Sequence, residues 1–144
     1  MRLKKQSDYA LRVLIYLNLN PEAPATVKEI ADSFDISQNH LTKVVQSLRK
    51  LSYVHTVRGH NGGIWLAQPA ESIKLGEVLR RLGEDGEVAE CFILEGNCKI
   101  SRLCNLKHVL SEAAESFFQV LDRYTLADIA QEPKAMAALL NAET

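Results

Sequence analysis

The sequence predicts a mainly α chain: short N-terminal helices, a two-stranded β wing and a long C-terminal helix. Three observations predict it. Apolar residues recur at three- and four-residue intervals through most of the first 51 positions. Two β-rich runs then flank the glycine-rich turn Gly59-His60-Asn61-Gly62-Gly63. A second apolar period begins at Leu103. With 144 residues, 47% apolar and 24% charged, the chain has enough apolar content for one core. No run reaches the roughly 18 apolar residues of a membrane helix. The start, Met1-Arg2-Leu3-Lys4-Lys5, leads into polar Gln6, Ser7 and Asp8 rather than an apolar signal core. A cytoplasmic protein is expected.

Each element has a local reason. Residues 7–19 read as a buried helix, with Ser7 as N-cap, Asp8 at the positive end of the dipole, and Leu11, Leu14, Ile15 and Leu17 apolar. Pro21 and Pro24 end it. Thr26 and Glu29 form a capping-box pattern for a second helix, with Val27, Ile30, Ala31 and Phe34 on its apolar face. After a break at Asp35-Ile36-Ser37, a third helix runs to about Leu51. Leu41, Val44, Val45, Leu48 and Leu51 form its stripe. Its other face carries Gln38, Asn39, His40, Lys43, Gln46, Arg49 and Lys50, and no acid. Residues 53–58 and 64–67 are the two strands. Helix, helix, basic helix and hairpin in this order define a winged helix-turn-helix, with Arg58 and His60 at the wing's base and tip. Residues 72–82 form one more helix.

Leu103, Leu106, Leu110, Ala113, Phe117, Val120 and Tyr124 alternate steps of three and four, the spacing of a coiled-coil seam. Val109, Ala114, Phe118 and Leu121 widen that stripe. The helix is therefore expected to pack both on its own domain and on a second copy, as a symmetric dimer suited to two half-sites. The resulting division is a DNA-binding domain over 1–82, a cysteine loop over 83–104, a dimerisation helix and short C-terminal helix over 105–130, and a partly mobile tail over 131–144. Charge follows the division. Residues 1–66 hold nine Lys/Arg against five Asp/Glu, whereas residues 67–144 hold eight against thirteen. The net charge of −1 conceals a basic front and an acidic back.

All three cysteines lie in one stretch, Cys91-x6-Cys98-x5-Cys104. Structural zinc ligands usually pair two to four residues apart, so this spacing fits an iron–sulfur cluster better. Three thiolates leave one of the usual four positions to another group, with His108 or a carboxylate as candidates. A thiol switch without metal is the alternative reading. There is no Cys-x-x-Cys, no phosphate-cradling glycine loop beside a strand, and no carboxylate pair near a histidine, so an enzyme is not expected.

Six segments, in order, carry a resemblance over residues 1–130. They are Ser7-Asp8-Tyr9-Ala10-Leu11-Arg12; then Ile30-Ala31 with His40-Leu41-x-Lys43-Val44-Val45 and Leu48; and Val57-Arg58-Gly59-x-Asn61-Gly62-Gly63. Glu90-Cys91-Phe92, Cys98-x-Ile100-x3-Cys104-x-Leu106 and Leu121-Asp122-x-Tyr124-Thr125-Leu126-Ala127-Asp128 complete them. The chain resembles the winged-helix iron–sulfur transcription regulators, and within them the nitric-oxide-sensing NsrR-like branch. The resemblance implies a homodimeric repressor of nitric-oxide detoxification genes, bound to an inverted repeat in double-stranded DNA. It implies one [2Fe-2S] or [4Fe-4S] cluster per subunit, held by Cys91, Cys98, Cys104 and Asp8 of the partner subunit. Cluster loss or nitrosylation would release the operator. The DNA-contacting positions would be Thr26, Ser37, Gln38, Asn39, His40, Lys43, Arg58 and His60. The IscR-like branch places a histidine three residues after the last cysteine, where this chain has Lys107. Two departures stand out: Ser52 replaces a common glycine before the wing, and His60 a common Arg or Lys within it.

Overall fold

The computed structural model describes residues 1–93 and 98–142. The described residues form α1 (Lys5–Leu19), α2 (Val27–Phe34), α3 (Gln38–Lys50), β1 (Val54–Val57), β2 (Gly63–Leu66), α4 (Leu75–Arg81), α5 (Leu106–Leu121) and α6 (Pro133–Asn141). Short 3-10 turns lie at Ala70–Ser72, Glu90–Phe92 and Ala127–Ile129. The mainly α winged helix-turn-helix expected from the sequence is present.

The start of α1 differs from the expected one. The helix begins at Lys5, and Ser7 is a fully buried interior residue rather than a cap. The cause is tertiary. The Lys4 backbone N–H donates to Glu84 Oε1 at 2.8 Å, and Lys4 Nζ donates to the Gly83 carbonyl. These contacts hold the chain one turn earlier than a local cap would. The stripe that α1 buries most completely is Ala10, Val13, Leu14 and Leu17, with Leu11 and Ile15 half-buried.

The next elements form where local chemistry puts them. The capping box closes as expected: Thr26 Oγ1 accepts from the Glu29 N–H at 3.1 Å, and Glu29 Oε2 accepts from the Thr26 N–H at 2.7 Å. Asp35, with φ at 52°, ends α2 in the left-handed conformation. Ser37 Oγ then caps α3 by accepting from the His40 N–H. Leu41, Val44, Val45 and Leu48 of α3 enter one core with α1, Ile30 and Ala31 of α2, Tyr53, Val54 and Ile64.

The wing is an antiparallel pair in which Val54 faces Leu66 and Val57 faces Gly63. Ile64 also exchanges backbone hydrogen bonds with Ala25, which ties the wing to the loop before α2. At Gly62 a Cβ would lie 2.1 Å from the Val57 carbonyl oxygen, so only glycine fits.

Ser52, the departure noted above, adopts φ 63° between α3 and β1. That conformation costs an L-residue roughly 1–2 kcal/mol, partly offset by glycine's extra freedom when unfolded. Ser52→Gly is therefore expected to stabilise the chain by about 0.5–1 kcal/mol. Urea unfolding checks it, and a loss of stability would contradict the strain reading.

Two further differences concern the C-terminal half. The helix expected over 72–82 splits into a 3-10 turn and α4, because Leu75 N–H donates to the Tyr124 carbonyl and Leu126 N–H to the Ile73 carbonyl. These bonds seat the fully buried Leu126 in the main core. Residues 133–141, expected to belong to a partly mobile tail, form α6, which packs on α1 and α2. Pro133 at its start was the local signal.

Candidate nucleic-acid interface and metal centre

The α3 stripe that enters the core turns the opposite face to solvent. Gln38, Asn39, His40, Lys43, Gln46, Arg49 and Lys50 are all exposed there. A helix seated on its apolar side by α1 and α2, with amides and cations outward, has the form of a major-groove reading helix. Arg58 and His60 are both exposed in the wing turn. Thr26 and Ser37, expected near DNA, have structural work as helix caps. The Thr26 hydroxyl also donates to Glu29 Oε2 at 3.0 Å, while the Ser37 O–H stays free to donate.

The cysteines sit between this reading head and α5. Cys91 is half-buried in the 3-10 turn Glu90–Phe92. Cys98 is exposed, and Cys104 is half-buried just before α5. Cys104 N–H donates to the Ile100 carbonyl and Ser101 N–H to the Cys98 carbonyl, so residues 98–104 form a compact turn. Lys107 Nζ lies 5.9 Å from the centre of the Phe92 ring and links the Cys91 turn to the start of α5. None of the three thiols is in a disulfide. Among the described residues, no three Cys, His, Asp or Glu side chains converge on one metal position within the chain. The donor set nevertheless fits an iron–sulfur cluster: three soft thiols between Cys91 and Cys104, none in a disulfide and none part of the core.

Asp8 lies in the first turn of α1 and pairs with Arg12 at 3.0 Å. Arg12 is sandwiched near Tyr9 and Phe34, 6.0 and 5.8 Å from their ring centres. Both charges are nearly half exposed, so the pair holds Asp8 only weakly. His108, the other non-thiol candidate, is an exposed residue of α5.

The α5 faces are apportioned more clearly than the period alone allows. Ala114 and Phe118 are buried against the chain's own domain. Leu106, Val109, Val120 and Tyr124 remain 45–55% exposed, and Leu103 is 96% exposed. Leu110 and Phe117 are half-buried, and Ala113 is exposed. A continuous apolar ridge is thus left outward along α5.

Sequence reasoning missed the joints that connect these parts. Arg80 Nη1 of α4 donates to both carboxylate oxygens of Asp122 at 2.7 and 2.9 Å, Nη2 reaches Glu115 at 3.5 Å, and the guanidinium lies over the Phe118 ring. The Asp122 hydrogen bond holds the Arg80 guanidinium even more firmly charged than usual. Asp128 accepts from the Thr125 N–H at 2.7 Å, and that bond lowers its carboxyl pKa from the ordinary value. Both acids belong to the segment from Leu121 to Asp128 that carried part of the resemblance, which was the available signal. Its role here is to fasten the end of α5 to α4.

A basic reading helix, a glycine-turned wing and a cysteine loop leading into a long helix define a winged-helix DNA-binding regulator. The chain belongs to the Rrf2 family: the family profile, described as an iron-dependent transcriptional regulator, matches residues 3–132. It is 48% identical to the HTH-type transcriptional regulator NsrR of Oceanobacillus iheyensis, over 99% of each chain. It is 47% identical to the NsrR regulator of Bacillus licheniformis, over 98% of this chain and all of that one. Among solved structures, T. potens IscR superposes with a TM-score of 0.72 at 27% identity, covering all of this chain and 93% of that one. The chain is accordingly a transcriptional regulator, and its relatives are named as regulators rather than enzymes.

Proposed function

We propose that this chain is a homodimeric, cytoplasmic repressor that holds one iron–sulfur cluster per subunit and releases its operator in response to nitric oxide. The observation that carries the reading is the donor set: three cysteines, Cys91, Cys98 and Cys104, none in a disulfide, in the one stretch of chain between α4 and α5. Near-full-length similarity to regulators named NsrR supports nitric oxide as the signal, and the target genes that the resemblance implies are those for nitric-oxide detoxification. Cys91, Cys98 and Cys104 would hold the cluster, with Asp8 of the partner subunit as a fourth ligand. A bound cluster, [2Fe-2S] or [4Fe-4S], would supply the centre that reacts with nitric oxide.

The chain's own residues do the rest. Asn39 and His40 at the start of α3 enter the major groove of an inverted repeat, with Gln38 and Ser37 beside them. Arg58 and His60 place the wing on the neighbouring backbone or minor groove. The apolar ridge of α5 joins the two subunits so that both half-sites are engaged together. Asp8 is a hard oxygen ligand, weaker on iron than thiolate, and sits on the helix that packs on α3. Its release from iron would free it to pair with Arg12 of its own helix. That change lies one helix away from the DNA.

The test is anaerobic purification, iron and sulfide analysis, and nitric-oxide titration followed by both visible absorption and operator binding, with the operator selected from random duplexes. The expected result is a coloured dimer whose absorption bleaches as DNA affinity falls. Colourless protein without iron or sulfide that still binds DNA would overturn the cluster reading and make the three cysteines a thiol switch.

A further inference from the structure

A cleft of about 180 Å³ lies between the first turns of α1 and the outer side of α3. Its walls are Lys5, Gln6 and Tyr9 of α1 with His40, Lys43 and Val44 of α3. The wall residues include two lysines and a histidine, and no carboxylate. The nearest acid on α1 in sequence, Asp8, is already paired with Arg12, and α3 carries no acid at all. Gln6 Nε2 donates to Ser47 Oγ of α3 at 2.9 Å, which fixes the two helices against each other beside the cleft. The acidic stretch Glu84, Asp85 and Glu87 lines a different cleft with Met1, Arg2 and Lys4.

The walls are largely apolar side-chain surface, and the cations they carry face no acid among the wall residues. Two ammonium groups can supply charge to an anion there, and an imidazole and a phenol can supply direction, while the Gln6 amide is engaged with Ser47. The cleft has room for one phosphate group with part of its hydration. The location selects the kind of anion. His40 and Lys43 lie three residues apart on the exposed side of the reading helix, so the cleft opens along the edge of the surface that meets DNA. Backbone phosphates flank any groove that admits a helix, and contacts to them set the protein's register.

We propose that this cleft seats one backbone phosphate of the DNA duplex, beside the bases that α3 reads. The proposal rests on the DNA-binding reading above and deepens it. It adds Lys5 and Tyr9 to the interface and assigns Lys43 to the backbone instead of a base edge. The first helix of the head thereby anchors DNA as well as supporting α3.

The test compares Lys5→Ala and Tyr9→Phe with the unaltered chain, on the selected operator and on a random-sequence duplex, across a salt series. Lys5 is exposed, so its thermal unfolding should be unchanged. Lys5→Ala is expected to weaken both duplexes alike, by about 3- to 10-fold, and to reduce the salt slope by about 0.9. Tyr9→Phe removes a donor but no charge, so it should weaken both duplexes without changing the slope. Asn39→Ala, in contrast, should weaken the operator selectively. Unchanged affinity and slope in Lys5→Ala would overturn the phosphate seat while leaving the repressor reading intact. So would a loss confined to the operator. If the unaltered chain binds neither duplex, the DNA-binding reading itself falls.

Discussion

Cys98→Ser is expected to yield protein with background iron and sulfide, no visible absorption and no response to nitric oxide. The size of the effect follows from ligand chemistry. Iron in such clusters is held by thiolate, and a serine hydroxyl at the same place is a poor, protonated substitute at neutral pH. The position is informative because Cys98 is exposed and packs against nothing in the core. Its substitution should alter the stability of the metal-free chain by no more than about 0.5 kcal/mol. Loss of metal therefore cannot be confused with loss of fold. Cys91 and Cys104 are half-buried and give a less clean comparison. Anaerobic metal analysis alongside thermal unfolding of the apo form reads both quantities. Retention of iron and sulfide in Cys98→Ser would remove this residue from the ligand set and reopen the thiol-switch reading.

Val120→Asp is expected to convert the dimer to monomer and to weaken operator binding by about 10²- to 10⁴-fold. Val120 is 45% exposed in the single chain, on the ridge that Leu106 and Tyr124 continue. A carboxylate there costs the isolated subunit little. In a symmetric interface the same substitution appears twice, and two unpaired charges are desolvated together. Operator affinity falls further than the interface alone because two linked heads bind an inverted repeat with a high effective concentration, and unlinked heads do not. Sedimentation and operator titration measure the two effects. Binding to a single half-site or to random duplex should be reduced far less. If Val120→Asp stays dimeric with unchanged affinity, the subunits meet through another surface. Leu106→Asp, at the other end of α5 and 55% exposed, provides an independent check.

The arrangement links the two predictions. α5 begins two residues after Cys104 and carries the outward ridge. Its far end is fastened to α4 through Arg80 and Asp122. Its near end meets the Cys91 turn through Lys107 and Phe92. The cysteine loop is thus bounded by the helix proposed to join the subunits. Through Gly83 and Glu84 it is also tied to the first turn of α1. A change in the loop has short physical routes to both subunit contact and the reading head, which is what a regulator requires.

Much of this molecule was legible in the order of its residues, because the reasons are local. The capping box of Thr26 and Glu29 needs only a three-residue span, and it forms with both hydrogen bonds. The α3 stripe needs only helical periodicity, and its four interior positions are buried as expected. The wing needs two β-rich runs and glycines, one of which no other residue can replace. The cysteine cluster and the basic, acid-free face of α3 were equally readable, since both depend on which residue types lie near one another in the chain.

What remained for the tertiary structure involves partners far apart. Ser7 has the form of a cap because nothing local reveals that Glu84, eighty positions away, receives the N–H of Lys4 just before α1. α6 is too short to be stable alone and becomes a helix by packing on α1 and α2. The period along α5 showed two apolar faces but could not divide them; docking on α4 and Gly86 buries Ala114 and Phe118 and leaves the ridge outward. The phosphate-sized cleft likewise exists only because α1 crosses α3. The sequence by itself determined the helices, the wing, the reading face and the ligand types, since these follow from short-range hydrogen bonding, periodicity and composition. Only the tertiary structure decided where α1 starts, which side of α5 stays free and which cations share a cleft, because those outcomes depend on burial between segments that the chain order keeps apart.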